Sequence, residues 1–232
     1  MNHPHLDRPV GQLVAEQPGR SRVFERWGID YCCGGKKTLG AVCETKQLDP
    51  NDLVRDLETA DADPAGSGTD WRIEPLSTLC DHIEEKHHGF LRQALPRLSM
   101  LAAKVAERHG ERDPRLVKVR DIFEEFRAEL ESHMLKEERI LFPAIRSLEA
   151  GQPSHGVAGP IEVMHAEHDH AGADLAAMRG LTDEFRPAAD ACNTHRALLH
   201  ALAELEADMH QHVHKENNIL FPRAIEKEGV PT

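Results

Sequence analysis

One frame of nine named positions occurs twice in this chain, and it restricts the possible folds more than any other feature. His133, Met134, Leu135, Lys136, Glu137 leads into Ile140, Leu141, Phe142, Pro143. His212, Val213, His214, Lys215, Glu216 leads into Ile219, Leu220, Phe221, Pro222, 79 residues later. Upstream, His88 precedes His133 by 45 positions and His168 precedes His212 by 44. Such a chain reads as two similar helical hairpins sharing an internal surface of approximate two-fold symmetry.

Four long segments carry the frame, at about 75–109, 114–148, 160–180 and 191–227, with Pro75, Pro114 and Pro160 each at a plausible first turn. No alternating β-branched run lies between them. The fold class expected is all-α: a small N-terminal helical domain followed by an up-down-up-down four-helix bundle.

The core-facing positions of the bundle contain polar groups. In the second segment the three–four stepping runs Leu116, Val119, Phe123, Phe126, Leu130, His133, Glu137, Ile140, Ala144. In the third it runs Ile161, Met164, His168, Ala171, Leu175, Met178, and in the fourth Leu198, Leu202, Leu205, Met209, His212, Glu216, Ile219. In the first, Ile83, His87, Phe90, Leu91, Leu95 and Leu98 form the stripe. His87 and His88 both lie within one position of it; periodicity does not choose between them, and the repeat spacing favours His88.

Buried imidazoles and carboxylates without partners cost several kcal/mol each, by the usual order of magnitude, and a metal removes the conflict. His and Glu four residues apart share one helix face, about 6 Å apart along the axis, so both reach one centre. Nitrogen and carboxylate donors without thiolate suit a non-haem iron pair, while manganese or zinc in the same cage stays open. Taken singly, a His-x-x-x-Glu is often only a surface pair; the repeat and the seam together turn the reading toward a metal. His82, His165, His170, His210 and His214 lie off or beside the seams and are expected to be solvated, with support of the ligands as the alternative.

The N-terminal part has a different composition. Of the 16 histidines none lies between Leu6 and Asp81, and 14 lie from His82 onward. The small, acidic and helix-breaking run from Asp61 to Asp70 suggests a linker, and the expected division is a helical domain at 1–60, a linker at 61–74 and the bundle at 75–230. Asp49 before Pro50 reads as a helix cap with proline at the first position. The sharp motif of this part is Asp30, Tyr31, Cys32, Cys33, Gly34, Gly35, Lys36. It implies a tight turn with accessible sulfur, and Lys36 and Lys37 are placed to lower a thiol pKa. Redox or transient metal chemistry at Cys32 and Cys33 and simple packing of the two sulfurs weigh equally on the residues alone.

A formal charge of −12 repels phosphate backbones and anionic lipid, so neither nucleic acid nor a membrane is an expected partner. No apolar run approaches the roughly 20 residues of a spanning helix, and Met1 to Pro9 lacks a signal-peptide core. Five cysteines in 232 residues are too few for a disulfide scaffold, which favours a reducing, cytoplasmic location.

Taken together, the Asp30–Gly35 run, the His133–Glu137 frame with its Leu141, Phe142, Pro143 tail, the Glu167, His168, Asp169 segment and the His212–Pro222 frame resemble the RIC (repair of iron centres) proteins. The resemblance covers about Arg8 to Ala224. It implies a ScdA-type N-terminal domain before a hemerythrin-like bundle, and two non-haem irons, an oxo bridge between them being compatible, on His88, His133, Glu137, His168, His212 and Glu216. Both glutamates then bridge, and His88 rather than His87 is the ligand. The resemblance places Glu129 and Glu167 beside an iron channel. His87 stands where the family often carries an aromatic residue. The implied function is repair of iron–sulfur clusters damaged by nitric oxide or peroxide, by iron donation to client proteins, with nitric oxide or oxygen as small ligands. A nitric oxide reductase using the same irons, and a hemerythrin-like oxygen or redox sensor, are the competing classes. The Cys32–Cys33 pair favours repair over sensing.

Overall fold

The computed structural model describes residues 3–62, 68–153 and 156–229, so part of the expected linker, residues 63–67, lies outside the described residues, as do the outer ends of the expected domains. The described residues are helical throughout, without a strand. They form two compact units: one comprises the first 79 residues together with those from His210 onward, and the other runs from Cys80 to Met209.

In the first unit, α1 (Val10–Glu16), α2 (Ser21–Arg26), α3 (Leu39–Lys46) and α4 (Pro50–Asp61) surround a core of Val10, Leu13, Phe24, Tyr31, Leu39, Leu53 and Leu57. Two of these short helices begin at a local cap. Thr38 accepts from the Ala41 N–H at 3.3 Å to cap α3, and Asp49 accepts from the Asn51 N–H at 2.8 Å to cap α4, with Pro50 as its first residue. Helix α4 continues through Asp61, whose carboxylate takes both Nε (2.8 Å) and Nη2 (2.6 Å) of Arg20. Arg20 is buried, and its Nη1 donates to the Leu13 carbonyl at 3.1 Å. The same unit contains α11 (Phe221–Glu228), where Arg223 donates to the carbonyls of Trp71 and Glu74, both at 2.7 Å.

The second unit is built on long helices. The first rod is α5 (Leu76–His82), a π turn (Ile83–His88) and α6 (Gly89–His109). It packs on α7 (Arg115–Lys136), which is followed by a π turn (Glu137–Leu141) and α8 (Phe142–Glu149); α7 packs on α9 (Ala158–Leu181). Helix α10 (Asn193–Lys215) closes the bundle through Glu206, held by Arg179 of α9, and Asp208, held by His87 Nδ1 at 3.0 Å. All four expected segments are found as helices, to within two residues at each end.

The one failure of the heptad reading falls within a π turn. Ile140, expected on the seam, is 57 % exposed, whereas Leu141 and Ile145 are buried. After Glu137 the inward face runs through Leu141 and Ile145, whereas in the turn of the repeat Ile219 and Leu220 are both buried. Pro143 favours the turn locally, because it has no N–H to close onto the Arg139 carbonyl. Pro222 has the same relation to the third π turn, Glu216–Leu220, in the first unit. The turn at Ile83–His88 brings both His87 and His88 inside, at 2 % and 0 % exposure, on different partners.

Removing the carboxylate from Asp61 leaves the buried Arg20 guanidinium without its bidentate partner. Asp61→Ala is expected to lower the stability of the first unit by about 2–4 kcal/mol, read from urea unfolding followed by Trp27 fluorescence. An unchanged midpoint would show that water replaces Asp61.

Candidate metal centre

The second unit brings four of the expected ligands together. Glu137, the first residue of its π turn, has no exposed surface, and its Oε2 lies 3.3 Å from His88 Nε2 and 3.4 Å from His133 Nε2. His168 Nε2 lies 3.2 Å from His133 Nε2. Single ligand atoms of His133, Glu137 and His168 fall within 4.8 Å of one another.

A further set of carboxylates stands behind the histidines. Glu138 Oε1 is 2.6 Å from His88 Nδ1 and is also held by Arg92. Glu167 Oε2 is 2.8 Å from His133 Nδ1, and its other oxygen is held by Lys136. Burial pushes the Glu167 carboxyl up, but its bonds to Lys136 and His133 hold it below the usual carboxylate range. An ionised carboxylate accepting from Nδ1–H fixes the neutral tautomer with its lone pair at Nε2. Both His88 and His133 then aim electron pairs toward a carboxylate.

The residues fit a metal on this observation: neither oxygen of Glu137 accepts a hydrogen bond, although the side chain is fully buried. An acceptor facing lone pairs in a water-free site is repulsive until a cation lies among them.

In the first unit, the repeat supplies a second pair of the same kind. His212 Nε2 lies 3.0 Å from Glu216 Oε1, both residues have no exposed surface, and Glu216 again opens a π turn. The π turn beginning at each seam glutamate was not read from the sequence. The signal for it is present, as a proline six residues after each glutamate.

Glu167 and Glu129 line one cavity of about 460 Å³ in the second unit, with His133, His168 and Lys136 in its wall. Glu129 is exposed at its rim and pairs with His170 at 2.9 Å. His87 Nδ1 pairs with Asp208 at 3.0 Å.

The cysteine loop belongs to the first unit and departs from expectation in two respects. Cys32 is buried, not accessible, and Lys36 and Lys37 are exposed. A bond with Cys33, then burial, then the Asp30 charge push the Cys32 thiol up from its ordinary value, so the lysines do not activate it. Asp30 organises the turn: its carboxylate accepts the N–H groups of Cys32 (3.0 Å), Cys33 (3.0 Å) and Gly34 (2.8 Å). His214, expected in solvent, is buried, and burial, aided by Lys215, pushes its imidazole down to about 3.

A bundle that offers inward histidines and glutamates beside a separate cysteine-bearing module defines a helical cation-binding protein with an accessory domain. Residues 78–224 match the Hemerythrin HHE cation binding domain, and residues 6–61 match ScdA_N, a domain of unknown function. Relatives include the iron–sulfur cluster repair protein YtfE of Musicola paradisiaca (strain Ech703), 39 % identical over 232 residues and covering 97 % of this chain and 99 % of the relative. YtfE of Enterobacter sp. (strain 638) is 40 % identical over 94 % and 97 % of the two chains, and that of Escherichia coli O81 (strain ED1a) 38 % identical over 95 % and 98 %. The chain belongs to this family of hemerythrin-domain iron–sulfur cluster repair proteins.

With Glu137 buried among lone pairs, the metal-free protein carries a penalty that an apolar side chain removes. Glu137→Leu is expected to stabilise the chelator-treated protein by about 1–3 kcal/mol, measured by chemical denaturation in excess chelator. Destabilisation would mean the carboxylate is satisfied without metal.

Proposed function

We propose that this protein repairs damaged iron–sulfur clusters by donating iron from a two-iron centre on His88, His133, Glu137, His168, His212 and Glu216. The observation that carries the reading is the fully buried Glu137 carboxylate, free of hydrogen bonds and 3.3–3.4 Å from two imidazole nitrogens. The identical His-x-x-x-Glu spacing and π turn at Glu216, within the same matched domain, support a second, equivalent bridging carboxylate. Four imidazoles and two carboxylates suit non-haem iron, and an oxo group completes the coordination of such a pair. The domain division in this proposal is 1–60, a linker at 61–74 and 75–230.

Each side chain has a task in holding and releasing the cargo. Glu138 and Glu167 keep His88 and His133 in the tautomer that binds a cation. Glu167, beside the cavity and bonded to Lys136, gives a departing ferrous ion an oxygen partner on its way past Glu129 at the rim. His133 takes up a proton as its bond to iron is lost, and Glu167 is positioned to stabilise that imidazolium. Iron held in the bundle supplies the atom that a degraded cluster lacks; the relatives named above are called iron–sulfur cluster repair proteins. Cluster-bearing client proteins are the partners, nitric oxide or oxygen are the small ligands of the irons, and Cys32 and Cys33 serve in redox or iron handling. Among the described residues no helix is long and apolar enough to cross a membrane, and the proposed location is the cytoplasm.

Protein loaded with labelled iron is expected to transfer up to two irons per chain, anaerobically, to an apo-cluster protein and to restore that protein's activity. Sustained turnover of nitric oxide without iron transfer would overturn donation in favour of a reductase. His133→Leu and Glu216→Leu are each expected to lower the iron content strongly; full iron content in both would refute the ligand set.

A further inference from the structure

The stretch of α10 and the third π turn that carries His212 and Glu216 presents a second set of side chains to the cysteine loop. Gln211 Nε2 donates to the Tyr31 hydroxyl at 2.7 Å, and that hydroxyl donates to Glu25 at 2.8 Å. The buried His214 ring meets the Tyr31 ring edge-on, 5.4 Å between centres. Asn218 is the deepest contact. Its Nδ2 lies 3.2 Å from the Tyr31 carbonyl and 3.1 Å from the Cys32 carbonyl, donating to both, and 3.3 Å from His214 Nδ1.

The side chain enters a slot made by glycines. A Cβ on Gly11 would stand 2.3 Å from Asn218 Oδ1, and one on Gly35 would stand 2.2 Å from it. Gly11 and Gly35 are themselves joined, N–H to carbonyl, at 2.9 Å. Residues 211, 214 and 218 share one helix face, whereas 212 and 216 share the next. One stretch of helix therefore holds a ligand pair on one side and the Cys32–Cys33 turn on the other.

We propose that Asn218 is a positioning residue that couples metal occupancy at Glu216 to burial of the Cys32 thiol. The shared element is the π turn Glu216–Leu220, which begins at the ligand and contains Asn218. Ligation of a cation by Glu216 holds the first residue of that turn. When Glu216 is not held, a shift of that turn withdraws Asn218, two residues on, from the glycine slot and releases Cys32; Pro222, which lacks an N–H, disfavours closure into plain α geometry, so the shift is one of position and not of register. Coupling of this kind is reciprocal: occupancy buries the thiol, and release of the metal presents it. This inference rests on the two-iron reading above.

The test measures alkylation of Cys32 by iodoacetamide, mapped by mass spectrometry on the full chain, metal-free and loaded anaerobically with ferrous iron. Metal content and helicity are measured on the same samples. In the wild-type protein, loading is expected to slow Cys32 alkylation about tenfold. Asn218→Asp keeps the shape but sets a carboxylate against two carbonyls, and Gly35→Ala fills the slot; in each, Cys32 is expected to react at the fast rate with or without iron while iron is still bound. Equal rates in loaded and metal-free wild-type protein, with iron bound, overturn the coupling alone. Iron protection that persists in both variants also overturns it, since the thiol would then be shielded by iron directly. A wild-type chain that binds no iron overturns the coupling and the two-iron reading together.

Discussion

The buried carboxylate of Glu137 is the constraint on which the rest of the second unit depends. A charged oxygen without a hydrogen bond, in a site with no exposed surface and facing two imidazole nitrogens, is costly in any water-free protein interior. The surrounding structure does nothing to neutralise it. Glu138 and Glu167, themselves paired with Arg92 and Lys136, are placed behind the histidines so that the lone pairs stay directed inward. This arrangement lowers the stability of the metal-free chain and favours binding of a divalent cation.

The three π turns give this chemistry its geometry. Each lies at a proposed ligand: one ends at His88, one begins at Glu137 and one begins at Glu216. A regular α-helix presents inward positions at steps of three and four, which suits packing but restricts where a ligand and the apolar residues after it can point. One inserted residue lets Glu137 face inward and still leaves Leu141, Phe142 and Ile145 buried beneath it. Pro143 and Pro222 favour the insertion by deleting one N–H from the ladder.

Within the first unit, the cysteine turn is held from two sides, and a bond with Cys33 and burial push the Cys32 thiol up from its ordinary value. Asp30 collects three backbone N–H groups, and Asn218 collects two carbonyls of the same turn. A loop satisfied from both sides is a structural part of the helix face it rests on. The residues alone left packing and chemistry equally weighted for Cys32 and Cys33; the geometry joins the two readings, because the packing is against the helix that bears Glu216.

Much of this protein is determined by the order of its residues. Periodicity and the duplicated frame specify the four long helices, the seam positions of His133, Glu137, His168, His212 and Glu216, and membership in the family, because those depend on helical repeat and on residue type at fixed spacing. The tertiary structure decided what spacing cannot encode. His87 and His88 are neighbours in sequence, and only packing against different helices sends one to Asp208 and the other to Glu137. The Nδ1 partners of His133 and His88 are carboxylates 34 and 50 residues away in the chain. The Cys32 thiol sits beside two lysines in sequence but is governed in space by Cys33, burial and Asp30. Charge effects and burial act through distance, and distance is set by the fold.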